Sequence, residues 1–217
     1  MLSATELIKL QNTDAIAREI KKLDEITFEK VEKLLPKLLV EGKLVLDSSV
    51  YVPADPSTIE ARGIGRYLVY EHLDSKHPFS IWAFALGFRQ KTSIHDHKYQ
   101  GTVTVLSGPV TEKRYLPTEE GRAKLVGRSD RYRFHTNSDD LKSGVVHQLK
   151  RRKELGEGTS VTLHIYNMPA HLITPAGASS DNRNLSSIYT KENILDKRSL
   201  PAYQKEEARD TLYSASL

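Results

Sequence analysis

From Arg66 to Tyr166 the chain reads as one short strand after another. Candidate strands are Arg66–His72, Phe79–Phe88, Gln100–Leu106, Val110–Leu116, Lys124–Val126, Arg131–His135, Val145–Leu149 and Val161–Tyr166. Turn formers punctuate them: Asp74-Ser75, Ser107-Gly108-Pro109, Glu120-Gly121, Asn137-Ser138-Asp139-Asp140 and Gly156-Glu157-Gly158. Many short strands at this spacing predict an all-β sandwich, barrel or jelly roll.

The flanks differ in character. Ser3-Ala4-Thr5-Glu6 is a capping box, and Leu7, Leu10, Ile16 and Ile20 follow at roughly helical spacing. A second helix is predicted from Phe28 to Leu39, with Val31, Leu34, Leu35, Leu38 and Leu39 on its apolar face. Pro36 lies inside it and is expected to kink or split it. Beyond about Ala176 the chain turns polar, with a short helix expected near Tyr203 to Leu212. The expected organisation is therefore a helical cap over residues 1–42, a barrel over 43–175 and a C-terminal extension over 176–217 that packs on the barrel, all within one domain.

Composition narrows the function classes. At 217 residues the chain is long enough to bury a core without staples. It has no cysteine, so neither a disulfide framework nor a thiolate metal site is available. The net charge is only +4, and the one basic run, Lys150-Arg151-Arg152-Lys153, has no interleaved aromatic residues. That run reads as a solvated loop rather than a nucleic-acid footprint. The N-terminal stretch lacks the apolar core of a signal peptide, and no apolar run approaches a membrane span. A cytoplasmic protein, monomeric or a small homo-oligomer, with no nucleic-acid or membrane partner is expected.

Chemistry concentrates around the histidines. His95 and His97 are two apart, so on an extended chain their imidazoles point to one face and Asp96 points to the other. Two converging imidazoles make half of a metal site. His147, in Ser143-Gly144-Val145-Val146-His147-Gln148-Leu149, is the candidate third ligand, and His135 is its rival. In Val161-Thr162-Leu163-His164-Ile165-Tyr166 the polar residues Thr162, His164 and Tyr166 share one face, opposite Val161, Leu163 and Ile165. A polar face inside a barrel predicts a lined cavity.

Taken together, Ser93-Ile94-His95-Asp96-His97, the strand from Gly101 to Gly108, Gly144-Val145-Val146-His147, the Ser160–Tyr166 strand and Arg66-Tyr67-Leu68-Val69 resemble the thiol dioxygenases of the cupin superfamily, the cysteine dioxygenase type I family. The resemblance covers roughly residues 60 to 170. It implies a cupin jelly-roll barrel in which His95, His97 and His147 bind Fe(II), Arg66 (with Arg62 as a nearby rival) clamps a substrate carboxylate, and Tyr166, His164 and Thr162 form a short relay. The implied reaction delivers both atoms of O₂ to the sulfur of a small carboxylated thiol. L-cysteine, giving cysteine sulfinate, is the first candidate, with 3-mercaptopropionate and mercaptosuccinate behind it. A non-catalytic cupin that binds a metal or ligand is the rival class.

The chain departs from that family in three places. Animal-type members carry a cysteine that crosslinks to the active-site tyrosine; here the matching position is Gly101 or Thr102, as in bacterial-type members. Where the third-histidine motif usually continues to an asparagine, this chain has Gln148-Leu149-Lys150-Arg151. Tyr166-Asn167-Met168-Pro169 stands where Tyr-Ser-Pro-Pro is usual.

Overall fold

The structure is a computed structural model. It describes residues 2–54, 64–73, 77–92, 94–95, 99–118, 123–137, 146–152, 156, 158–173, 188–189 and 194–195. Helices α1 (Ala4–Ile20) and α2 (Phe28–Val40) come first. The strands follow as β1 (Ile64–His72), β2 (Phe79–Leu86), β3 (Ile94–His95), β4 (Gly101–Ser107), β5 (Val110–Pro117), β6 (Ala123–Arg131), β7 (Thr136–Asn137), β8 (Val146–Lys150) and β9 (Ser160–Tyr166). A short helix, α3 (Ala170–Ile173), and two two-residue strands, β10 (Ile188–Tyr189) and β11 (Ile194–Leu195), complete the described elements.

The pairing follows one rule. β2 pairs with β9, β3 with β8, β4 with β7 and β5 with β6, all antiparallel. That is one long hairpin of eight strands. Rolling it up adds the pairs β4–β9 and β5–β8 and splits it into two sheets, β1-β2-β9-β4-β7 and β10-β3-β8-β5-β6-β11. The result is a jelly roll. Trp82, Phe84, Val103 and Val105 from the first sheet and Val110 and Leu149 from the second lie in one buried cluster, so the two inner faces meet.

The helices cover the outer face of the first sheet. Ile16, Ile20, Val31, Leu35 and Leu38 are buried against Phe79, Ile81, Ala83, Ala85, Val161, Leu163 and Ile165. This explains why β2, FSIWAFAL, is apolar at almost every position: both of its faces are covered. Each of the larger apolar side chains among them contributes about 1.5–3 kcal/mol by leaving water. Asn12 then fixes the cap, donating from Nδ2 to the Val45 carbonyl at 2.8 Å and accepting from Val45 N at 2.9 Å.

Three expectations change. α2 runs unbroken through Pro36, because Leu35 and Leu38 on either side are anchored in the core and outweigh one lost backbone bond. The strand expected over Arg131–His135 is instead the end of β6 followed by a turn. Phe134 takes a left-handed backbone (φ 67°), and His135 N bonds back to Tyr132 O at 3.0 Å. The strand expected over Lys124–Val126 is the longer β6. The helix expected near Tyr203 lies outside the described residues, as do Asp96, His97 and Arg62. From the extension, β10 pairs with β3 and β11 with β6, so its backbone bonds to both edges of the second sheet. Among the described residues no helix is long and apolar enough to cross a membrane.

Candidate functional site

His95 and His147 are direct cross-strand partners on β3 and β8. Both are buried, and their ring centroids lie 4.9 Å apart at 61°. Partners in an antiparallel ladder point to the same face. Leu149 shares that face with His147 by alternation and belongs to the interior cluster, so the imidazoles point into the barrel. Two neighbouring segments hold this register. Thr92 accepts from Leu149 N through its hydroxyl at 3.0 Å, and its carbonyl accepts from Gln148 Nε2 at 2.9 Å. Gln148 thus ties the segment entering β3 to the strand carrying His147. The buried Arg151 donates to the Pro109 carbonyl at 3.1 Å, securing the strand's exit.

His147 has a partner that sequence reasoning did not find. Its Nδ1 lies 2.7 Å from Oε1 of Glu112 on β5, and Glu112 is 1% exposed. The other carboxylate oxygen, Oε2, accepts from Nη2 of Arg131, which is equally buried, with Arg114 Nε 3.8 Å away. Burial pushes the Glu112 carboxyl up. The Arg131 charge, the hydrogen bond and charge of His147 and the Arg114 charge outweigh it, so the carboxyl sits below its ordinary range. In the sequence, Glu112 is one charge in the alternation Thr-Glu-Lys-Arg, and nothing there marks which side faces inward.

The facing sheet carries the second half. Thr162 Oγ1 lies 2.8 Å from His164 Nε2, and Tyr166 OH lies 2.9 Å from His164 Nδ1. The expected inward face of β9 is therefore one continuous hydrogen-bonded chain, entirely buried. Phe84 on β2 lies against the His164 ring at 4.1 Å, and the Arg66 guanidinium sits 5.8 Å from the Phe84 centroid. The ladder register places Arg66, Phe84 and Thr162 in one row across β1, β2 and β9. His164 has its pKa lowered to about 3, chiefly by burial and then by the charges of His147 and Arg66, with Glu112 acting the other way. Side chains from both sheets therefore share one electrostatic environment.

Of the residues expected from the sequence, His95, His147, Arg66, Thr162, His164 and Tyr166 lie on the sheets as described, and His97 falls outside the described residues. His135 does not join them. It stands in the turn just before β7, the edge strand of the first sheet, and its Nδ1 accepts from Tyr132 N at 3.3 Å to close that turn. Among the described residues no three His, Cys, Asp or Glu side chains converge as a metal cage. The two histidines that do meet offer two imidazole nitrogens, a donor type that suits a divalent transition metal.

No protein-family model matches the chain. Similar solved structures include a cupin-2 domain protein from Rhodospirillum rubrum (9% identity over 60% of this chain and 68% of that one, TM-score 0.40) and a cupin 2 conserved barrel domain protein from Rhodopseudomonas palustris (13%, 65% and 78%, TM-score 0.43). The polyketide cyclase RemF from Streptomyces resistomycificus is another (14%, 69% and 87%, TM-score 0.40). Likenesses this distant carry no argument about chemistry. The strand pairing itself makes the chain an all-β jelly-roll barrel.

Proposed function

We propose that this barrel is a mononuclear iron thiol dioxygenase acting on a small carboxylated thiol, with L-cysteine first and 3-mercaptopropionate or mercaptosuccinate as alternatives. One observation carries the reading: the paired imidazoles of His95 and His147 share the barrel interior with the Thr162–His164–Tyr166 chain. In this reading His95, His97 and His147 hold Fe(II). The metal, when bound, supplies the redox chemistry that joins a thiol sulfur to O₂.

The remaining roles belong to the chain's own groups. Arg66 offers a guanidinium for the substrate carboxylate, with its Cζ 5.8 Å from the centroid of the Phe84 ring. Tyr166 presents a phenol whose oxygen lies 2.9 Å from His164 Nδ1. Because burial keeps His164 neutral, one ring nitrogen donates and the other accepts, so Thr162, His164 and Tyr166 can shift a proton along the chain by exchanging tautomer. The apolar walls from Trp82, Phe84, Val103 and Val105 keep bulk water from the reacting groups.

Anaerobic reconstitution with Fe(II), followed by O₂ uptake with a thiol panel, tests this. Uptake is expected with carboxylated thiols, with a product heavier by two oxygen atoms. Uptake no greater than that of free iron for every thiol overturns the enzyme reading and leaves a non-catalytic barrel.

A further inference from the structure

We propose that Glu112, clamped by Arg131, is a positioning residue for the metal centre, fixing the proton of His147 on Nδ1 and presenting Nε2 as the ligating atom. This rests on the proposed metal site and goes beyond it by assigning a role to a buried carboxylate that touches neither metal nor substrate.

The geometry is specific. A neutral imidazole has one N–H and one bare nitrogen, and only the bare one can bind a metal. A carboxylate 2.7 Å from Nδ1 accepts a hydrogen bond and cannot donate one, so the proton is drawn to Nδ1 and the lone pair is left on Nε2. The carboxylate also resists rotation. Oε1 is taken by His147 and Oε2 by Arg131, both partners being buried. The ring plane of His147 is thereby set from one side, while the ladder to His95 sets its backbone.

The charges follow the same logic. Glu112 without Arg131 would leave a buried anion against the ligand with only the more distant Arg114 beside it, at 3.8 Å. Stability alone does not ask for this pair, since buried ion pairs are often replaced by packed apolar side chains at little or no loss. Arg131 lies opposite Val110 in the β5–β6 ladder, so apolar neighbours for such a replacement are at hand. What an apolar pair could not do is hold the His147 proton. Carboxylate–histidine–metal arrangements of this kind carry roughly 10–100-fold in metal affinity.

The test has two arms on the full-length protein. In metal-free protein labelled with ¹⁵N-histidine, the signal lost in His147→Gln identifies His147. The expected tautomer is protonated at Nδ1, and an Nε2–H tautomer overturns the proposal. In the second arm, Co(II) affinity is titrated for the wild type, for Glu112→Gln and for Glu112→Gln combined with Arg131→Met. The double variant removes both charges together and keeps the arm decisive if the single variant does not fold. Affinity lower by about 10–100-fold in a folded variant is expected, and unchanged affinity overturns the proposal. Wild-type protein that takes up no Co(II) is a different failure. It overturns the metal reading, and the tautomer arm still decides the role of Glu112.

Discussion

Gly101 stands directly across the β4–β9 ladder from Tyr166. The next residue, Thr102, pairs with Ile165 and shares its face rather than that of Tyr166. Of the two residues that the resemblance matches to the crosslinking cysteine of animal-type thiol dioxygenases, register puts only Gly101 opposite Tyr166. The phenol is held instead by non-covalent contacts, His164 at 2.9 Å and the buried Tyr99, which meets the Tyr166 ring edge-on at 5.0 Å.

That arrangement makes the phenol testable on its own. Tyr166→Phe keeps the ring and its packing against Tyr99 and removes only the oxygen that His164 contacts. Turnover should fall by at least ~10-fold, as expected when a positioned proton-transfer group is lost. Iron per protein should stay at the wild-type level. Steady-state rates with metal analysis on the same sample check this, and a parallel loss of iron would assign Tyr166 to metal binding instead.

The substrate clamp predicts a different signature. Arg66→Ala removes a charge-assisted pair of about 1.5–3 kcal/mol, so KM for a carboxylated thiol should rise ~10-fold or more. A thiol without a carboxylate should show no such rise. Arg66→Lys should recover only part of the effect, because an ammonium is a point charge and lacks the planar fork. An unchanged KM would point to Arg62 or to no clamp.

Acid should expose the buried histidine. Unfolded, a histidine titrates near 6.5, whereas folded His164 has its pKa lowered to about 3 by burial and neighbouring charge. Between those values the unfolded chain binds a proton that the folded chain refuses. Stability from this group is complete above about pH 6.5 and falls by about 1.4 kcal/mol per unit as pH drops toward 3. His164→Asn should flatten that part of the profile. Urea midpoints for both proteins at about pH 6.5 and about pH 4.5 decide it, and identical slopes would show that His164 charges freely in the folded state.

How much of this was legible in the sequence depends on the range of the signal. Thr162, His164 and Tyr166 could be read because a two-residue period is local and one face is visibly polar. His147 could be read as an isolated imidazole in an apolar strand. Glu112 could not, since its inward direction follows from pairing with β8, and its counter-charge, Arg131, comes from the far end of the neighbouring strand. Tyr132-Arg133-Phe134-His135 alternates like a strand and is a turn. Its left-handed Phe134 is imposed by backbone bonds to Val105, a contact between distant parts of the chain. Pro36 misled in the opposite sense: a local breaker was overridden by the core contacts of α2.

The edge of the first sheet offers a last test, one of fold and site together. β1 is the terminal strand, and its free side is blunted by a bulge between Leu68 and Tyr70 and by the Thr13 hydroxyl, which donates to Val69 O at 2.7 Å. The segment before β1 also lies close against it. A Cβ built on Gly65 would stand 2.2 Å from the Val52 carbonyl oxygen, an atom that already accepts from Tyr67 OH at 2.7 Å. That neighbour is backbone, so Gly65→Ala must push strand and segment apart. Overpacking of this kind costs about 1–3 kcal/mol, or a Tm lower by roughly 2–12 °C for a chain of this size. Because Gly65 immediately precedes Arg66, the same variant should raise KM for carboxylated thiols while leaving Co(II) affinity unchanged. Calorimetry, thiol kinetics and metal titration on one preparation separate these effects, and an unchanged Tm would mean that the segment carrying Val52 yields to the added methyl without cost.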